Sequence, residues 1–301
     1  MSWEPMVVGV DGSPASVGAA ELAHRLARIA GAECRLVHAV RDEWAPLAAV
    51  GDAEQVQKMQ RLQLAVARHQ VTEALRGRVA AELFEMLDVR FGPAAVVLQQ
   101  VSEELRAGLL VLGGKRHGIM ERWFGGSTSL NVVRAATVPV LVTAGAPQAI
   151  RRVLVAGDLS AAARPTVALA ERFAKLVGAQ LRMVSVIEPL PVVAGAPPVD
   201  PEGYYALSQE LLQRDIWPFV APGVEKLVRH GMVVETLLRE ATDWSADLLV
   251  VGSHGKGWAQ RILLGSVTER LLNDLPTSLL VAPVGARVPV QQRPRAEAVV
   301  A

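Results

Sequence analysis

Residues 248–275 read Leu-Leu-Val-Val-Gly-Ser-His-Gly-Lys-Gly-Trp-Ala-Gln-Arg-Ile-Leu-Leu-Gly-Ser-Val-Thr-Glu-Arg-Leu-Leu-Asn-Asp-Leu, and their order decides the fold. Leu248 to Val251 is a short run with no polar face, the pattern of a strand covered on both sides in a parallel sheet. Gly252, Gly255 and Gly257 then open a loop around Ser253, His254 and Lys256. Gly265-Ser266 starts a helix: Ser266-Val267-Thr268-Glu269 has capping-box spacing, and Val267, Leu271 and Leu275 recur at i, i+4, i+8. A strand feeds a glycine loop that returns to a helix N-terminus. The bare amides and dipole of such a terminus attract anions, phosphate above all.

Working outward, the same pattern occurs earlier in the chain. Gly113 and Gly252 lie 139 residues apart, as do Gly126 and Gly265, and Gly92 and Gly231. Asp11 and Asp158, each just after an apolar run, lie 147 apart. The second copy is therefore eight residues shorter, and the difference falls in the connection and helix after its second strand. Strands are expected near 6–10, 36–40, 86–91, 109–112 and 138–142, and again near 153–156, 181–187, 225–229, 248–251 and 279–281. Helices are expected between them, including Ala53–Glu82 and Tyr204–Trp217. Alternating strands and helices give α/β class: two tandem three-layer α/β/α domains, each with a five-stranded parallel sheet and right-handed crossovers. The expected domains are 1–145 and 151–285, joined near Ala144–Arg151, with 286–301 as a mobile tail.

The composition fits this class. The chain has 301 residues, 51% hydrophobic, 20% charged and 4% aromatic, so buried parallel strands dominate over aromatic cores. A net charge of +1 gives no overall field toward nucleic acid or acidic membranes. The tryptophans are too scattered to form a base-stacking row, so no nucleic-acid partner is expected. The single cysteine, Cys34, excludes an internal disulfide framework and reads as a small core residue. No apolar run approaches the roughly 18 residues of a membrane span, and the N-terminus lacks a basic leader pattern. A cytoplasmic protein without membrane contact is the expectation. His254 has no ligating partners at useful spacing, so no metal site is expected. No nucleophile–base pair is visible, so no catalytic residue is assigned.

At Gly252-x-x-Gly255, nine residues, then Gly265-Ser266, the chain resembles the universal stress proteins. Their nucleotide-binding signature is G-2x-G-9x-G-(S/T). With the Val-Asp-Gly-Ser opening at 10–13 and the duplicated pattern, the resemblance covers nearly the whole chain. It implies a tandem member with the family's Rossmann-like, adenine nucleotide alpha-hydrolase-like fold. It further implies that Asp158 lies close to a nucleoside, with Asp11 as its counterpart. Val186, matched by Ala39, would touch adenine. Gly252, Gly255 and Gly265 would let backbone amides approach ribose and phosphates, where a Cβ would intrude. Ser266 and Val267 would cap the phosphates, with Ser253, His254 and Lys256 beside them. The first copy departs from the signature: Arg116 stands where Gly255 stands, and Leu130 where Glu269 stands.

The resemblance implies a non-enzymatic stress-response protein that binds an adenine nucleotide, ATP with or without Mg²⁺, in its second domain. It would act through self-association or partners. Two alternatives stand beside it: an adaptor whose clefts are collapsed or hold an apolar ligand, and a weak ATPase. Members of the family pair through their fifth strands. The expectation is therefore an intramolecular pseudo-dimer through 138–142 and 279–281, with homodimerisation of whole chains compatible with it.

Overall fold

Short, mostly aliphatic runs build the central strands, more polar segments such as Asp88–Phe91 and Glu225–His230 build the outer ones, and helices lie between them. The computed structural model describes residues 3–47, 52–114, 128–145, 149–190, 200–254 and 264–283. Lys115, Arg116, Gly126 and Ser127 of the first loop lie outside the described residues, as do Gly255, Lys256 and Gly257 of the second and the expected tail 286–301. In the first half, β1 (Met6–Gly9), α1 (Pro14–Ala30), β2 (Cys34–Val40), α2 (Ala53–Leu75) and the single turn α3 (Glu82–Glu85) come first. They are followed by β3 (Asp88–Phe91), α4 (Ala94–Glu104), β4 (Leu109–Gly114), α5 (Thr128–Ala135) and β5 (Val140–Ala144). The second half repeats the order. It holds β6 (Arg152–Ala156), α6 (Ala163–Val177), β7 (Gln180–Ile187), α7 (Pro201–Asp215), β8 (Glu225–His230), α8 (Val233–Asp243), β9 (Leu248–Gly252), α9 (Ser266–Asp274) and β10 (Ser278–Ala282).

The ten strands form one sheet in the order β3-β2-β1-β4-β5-β10-β9-β6-β7-β8. All neighbours run parallel except β5 and β10, which pair antiparallel with Val142 opposite Leu279 and Val140 opposite Val281. The registers reproduce the sequence repeat. Met6 pairs with Cys34 and Val153 with Leu181, while Val37 pairs with Asp88 and Val184 with Leu227. The offset between copies thus changes between the second and third strands of each half. Alternate residues of the central strands enter two apolar clusters, one on each face, and each cluster draws on both halves. Met6, Leu109, Val153 and Leu248 lie in one; Val7, Leu110, Leu154 and Leu249 lie in the other.

Helix ends follow local chemistry. Ser13 caps α1 by accepting from the Ser16 amide, Pro14 opens it, and Gly31 closes it at φ 63°; Gly178 closes α6 at φ 68°. Two expectations are corrected. The helix expected over 53–82 stops at Leu75, because Gly77 at φ 74° turns the chain before α3. The helix expected from Tyr204 begins at Pro201, where Asp200 accepts from the amides of Glu202 and Gly203 at 3.1 and 3.0 Å.

Candidate functional site

In the second half β6 and β9 are neighbours, although they are its first and fourth strands, so connections leave them in opposite directions across the sheet. A crevice forms at the carboxyl ends of strands at such a point. Past β6, Asp158 Oδ1 accepts from the Ser160 amide at 3.0 Å and from the Ser160 hydroxyl at 2.5 Å. This is an Asx turn rather than a helix cap: α6 starts later, with Ala162 as its N-cap and no side-chain bond. The second carboxylate oxygen of Asp158 has no hydrogen-bond partner among the described residues.

Past β9, the two ends of the glycine loop are tied together. The Ser253 amide donates to Ala282 O and the Gly265 amide to Ser253 O, both at 2.8 Å. The Thr268 hydroxyl donates to Gly252 O at 2.7 Å. The Glu269 amide makes the first helical bond, to Gly265 O at 2.9 Å. The amides of Ser266, Val267 and Thr268 therefore remain open in the first turn of α9, without acceptors among the described residues. The capping box read from the sequence does not form. Gly265 is the N-cap, Ser266 is the first helical residue and is exposed, and Glu269 instead accepts from Arg134 of the first half at 3.0 Å. The helix begins one residue before the capping pattern places it, which leaves Ser266 at the mouth of the crevice.

The crevice is a cleft of about 780 Å³. Val184, Val186, Val233, Leu237 and Val251 give it an apolar wall, and Asp158, Ser160, Glu188, His254 and Ser266 supply polar groups. Of the residues expected from the sequence, Asp158, Val186, Gly252, His254, Gly265, Ser266 and Val267 meet there. Ser253 does not line it: the residue is 4% exposed, and its hydroxyl lies 3.0 Å from Nδ1 of His254. Gly255 and Lys256 fall outside the described residues. Nε2 of His254 is buried with no hydrogen-bond partner among the described residues. A Cβ on Gly252 would come within 3.1 Å of both His254 O and Thr166 Oγ1, so this strand end has no room to spare. Thr166, Glu188 and Tyr204 also line the cleft and were not read from the sequence. No local signal marks them; only their placement beside β6 and β7 does.

The first half is built more tightly at the same place. A Cβ on Gly113 would come within 2.6 Å of Ala15 O and the Ser16 nitrogen, because α1 begins two residues earlier relative to β1 than α6 does relative to β6. Asp11 Oδ1 accepts from the Ser13 amide at 2.9 Å, and the Ser16 hydroxyl donates to Ser13 O at 3.0 Å. Burial works to raise the Asp11 carboxyl, yet hydrogen bonds from Ser13 and Ser16 and the nearby His38 outweigh it and hold the group below the ordinary aspartate range. Ser129, the counterpart of Thr268, reaches Gly113 O only at 3.4 Å.

The pattern of the Universal stress protein family matches residues 2–144 and again 149–283. The chain belongs to the universal stress protein family. It carries the family unit twice, in tandem. A universal stress protein of Mycolicibacterium smegmatis is 30% identical over 295 residues, spanning 92% of this chain and 96% of the relative. One of Thermus aquaticus is 28% identical over 133 residues, 44% of this chain but 97% of that shorter protein. The crystal structure of a universal stress protein from Archaeoglobus fulgidus superimposes with a TM-score of 0.63 at 18% identity, covering 95% of this chain and all (100%) of that one. A putative universal stress protein from Pseudomonas aeruginosa gives 0.61 at 16% identity over 94% of this chain and 93% of its own. These solved structures share the universal stress protein fold. Among the described residues, no helix is long and apolar enough to cross a membrane, and no group of three or more His, Cys, Asp or Glu could hold a metal ion.

Proposed function

We propose that this universal stress protein binds an adenine nucleotide, ATP, in its second half and acts in stress response through self-association or partners rather than by catalysis. The observation that carries the reading is the open first turn of α9 facing a cleft of about 780 Å³. That volume suits a small ligand, and open amides at a helix N-terminus suit phosphate. In this reading the Ser266 and Val267 amides and Nε2 of His254 hold phosphate oxygens. Gly252 and Gly265 admit the backbone closely. The unpartnered oxygen of Asp158 accepts from the nucleoside, and Val186 lies against adenine. Gly255 joins the same set through the family signature, with Lys256 next to it in the sequence.

The units proposed are 1–145 and 151–285. The antiparallel pairing of β5 with β10 supports an intramolecular pseudo-dimer through the fifth strands. The tight fit of Gly113 against α1 favours the second half as the binding half.

Mass spectrometry of small molecules released from the purified protein, with titration calorimetry of ATP and Mg²⁺, tests the reading. Adenine nucleotide in the extract, or saturable heat, is expected. Neither signal, or a phosphate-free apolar ligand in the extract, would sink it; the valine and leucine wall makes the apolar ligand the second reading.

A further inference from the structure

We propose that Arg134 of the first half sets the charge at the phosphate end of the second half's cleft, by offsetting the Glu269 carboxylate in the first turn of α9. The inference rests on the nucleotide reading and deepens it: anion binding in one half depends on a residue of the other. Arg134 does not line the cleft, so it is a positioning residue that acts through Glu269. Gly265, Ser266, Val267 and Thr268 do line it. The Glu269 amide donates to Gly265 O at 2.9 Å, so Glu269 stands one turn below Gly265 on the same side of the helix. Its Cα–Cβ bond tilts toward the N-terminus, as in every helix. It is the acidic residue of that turn, which carries no basic one. A carboxylate there stabilises the helix end but repels an anion brought to the open amides.

The offsetting charge comes from across the seam. Arg134 lies in the last turn of α5, which packs beside α9, and its guanidinium is 3.0 Å from Glu269 Oε1. The neighbouring Arg270 is engaged by Glu235 of α8 at 2.9 Å, which leaves Arg134 as the cation at Glu269 among the described residues. The pair is not matched on the other side of the seam. At the repeat distance of 139 residues, Arg134 corresponds to Asn273 and Glu269 to Leu130, so no reciprocal ion pair can form. The bridge serves only the half whose cleft is open. Both side chains are partly solvated, at 39% and 36% exposure, so the effect is modest and sensitive to salt.

The test titrates ATP with Mg²⁺ into the full chain as wild type, Arg134→Gln, Arg134→Lys, Glu269→Gln and the Arg134→Gln/Glu269→Gln double variant, with a urea melt of each. Arg134→Gln is expected to bind ATP about 2- to 5-fold more weakly, the scale of one charge at a helix end. Glu269→Gln should bind it more tightly by a similar factor, and the double variant should return close to wild type. Arg134→Lys keeps the charge and should bind as wild type does. Raising salt to about 0.5 M should shrink all these differences. A bridge that only ties the halves together predicts something else: both single Gln variants weaken binding, the double does not recover, and salt leaves the losses in place. That pattern would overturn the proposal, as would equal losses for Arg134→Lys and Arg134→Gln. The opposite signs of the two single variants decide the matter even if one of them lowers stability. If wild type binds no adenine nucleotide, the underlying reading falls; if wild type binds ATP and Arg134→Gln binds it equally at low salt, only the role of Arg134 falls.

Discussion

Gly252 and Gly113 occupy equivalent positions, and what surrounds each differs in ways the residue itself does not record. Gly252 faces a peptide oxygen and a hydroxyl at 3.1 Å, whereas Gly113 is pressed onto the helix backbone of Ala15 and Ser16. The aspartates also differ in what holds them. Asp158 Oδ1 accepts from the amide and hydroxyl of Ser160, while at Asp11 hydrogen bonds from Ser13 and Ser16 outweigh burial and depress the pKa. The sign of the pH effect follows. A carboxyl lowered in the folded state stabilises the protein above the unfolded pKa, and that contribution is lost as pH falls through the folded value. Asp11→Asn keeps the acceptor for the Ser13 amide but cannot titrate. Urea midpoints between about pH 5 and pH 2 should fall less steeply for Asp11→Asn than for wild type. Solvent on the exposed side of Asp11 limits the difference to below ~1 kcal/mol. Identical slopes would show that Asp11 carries no linked stability.

At the scale of elements, α9 brings its first turn to the cleft beyond the glycine loop. Its position depends less on its own cap than on Thr268, a buried side chain one turn in, which donates to the end of β9. Replacing Thr268 by Val keeps the shape and leaves Gly252 O without its partner. A loss of about 1–2 kcal/mol in urea unfolding is expected, with weaker ATP binding, because the open amides are no longer tied to the strand end. Stability and affinity both matching wild type would refute this role for Thr268. The sequence showed the strand, the glycines and the start of this helix, since apolar runs and turn residues are local signals. It misassigned the cap, because Ser266 and Glu269 have the right spacing in the chain while Glu269 is engaged by Arg134 from the other half.

At the scale of the whole molecule, two five-stranded units share one sheet. Beyond the β5–β10 ladder, the Ser278 hydroxyl accepts from the Ala144 amide at 3.2 Å, and Trp3 of the first half packs edge-on to Phe173 at 5.7 Å under the guanidinium of Arg172. Gly114 of the first half receives the side chain of Leu275 from the second so closely that a Cβ would overlap it and stand 2.9 Å from Thr143 O. Gly114→Val should therefore lower stability by about 1–3 kcal/mol, the usual cost of overpacking a filled interior. The fall should appear together in tryptophan fluorescence and in far-ultraviolet circular dichroism if the halves unfold as one. An unchanged midpoint would show that Leu275 moves aside freely.

The sequence alone determined the alternation of strands and helices, the duplication, the point where the copies differ in length, and the glycine loop with its aspartate. Each of these is written in periodicity, spacing or the special backbone freedom of glycine, all readable along the chain. Only the tertiary structure decided which side chains share the cleft. Ser253 is adjacent to Gly252 yet turns into the interior, while Thr166, Glu188 and Tyr204 come from separate segments to line the opening. Membership of a site depends on which strand ends lie side by side and which face each neighbouring helix presents. Long-range packing sets those two things, and no local pattern encodes them.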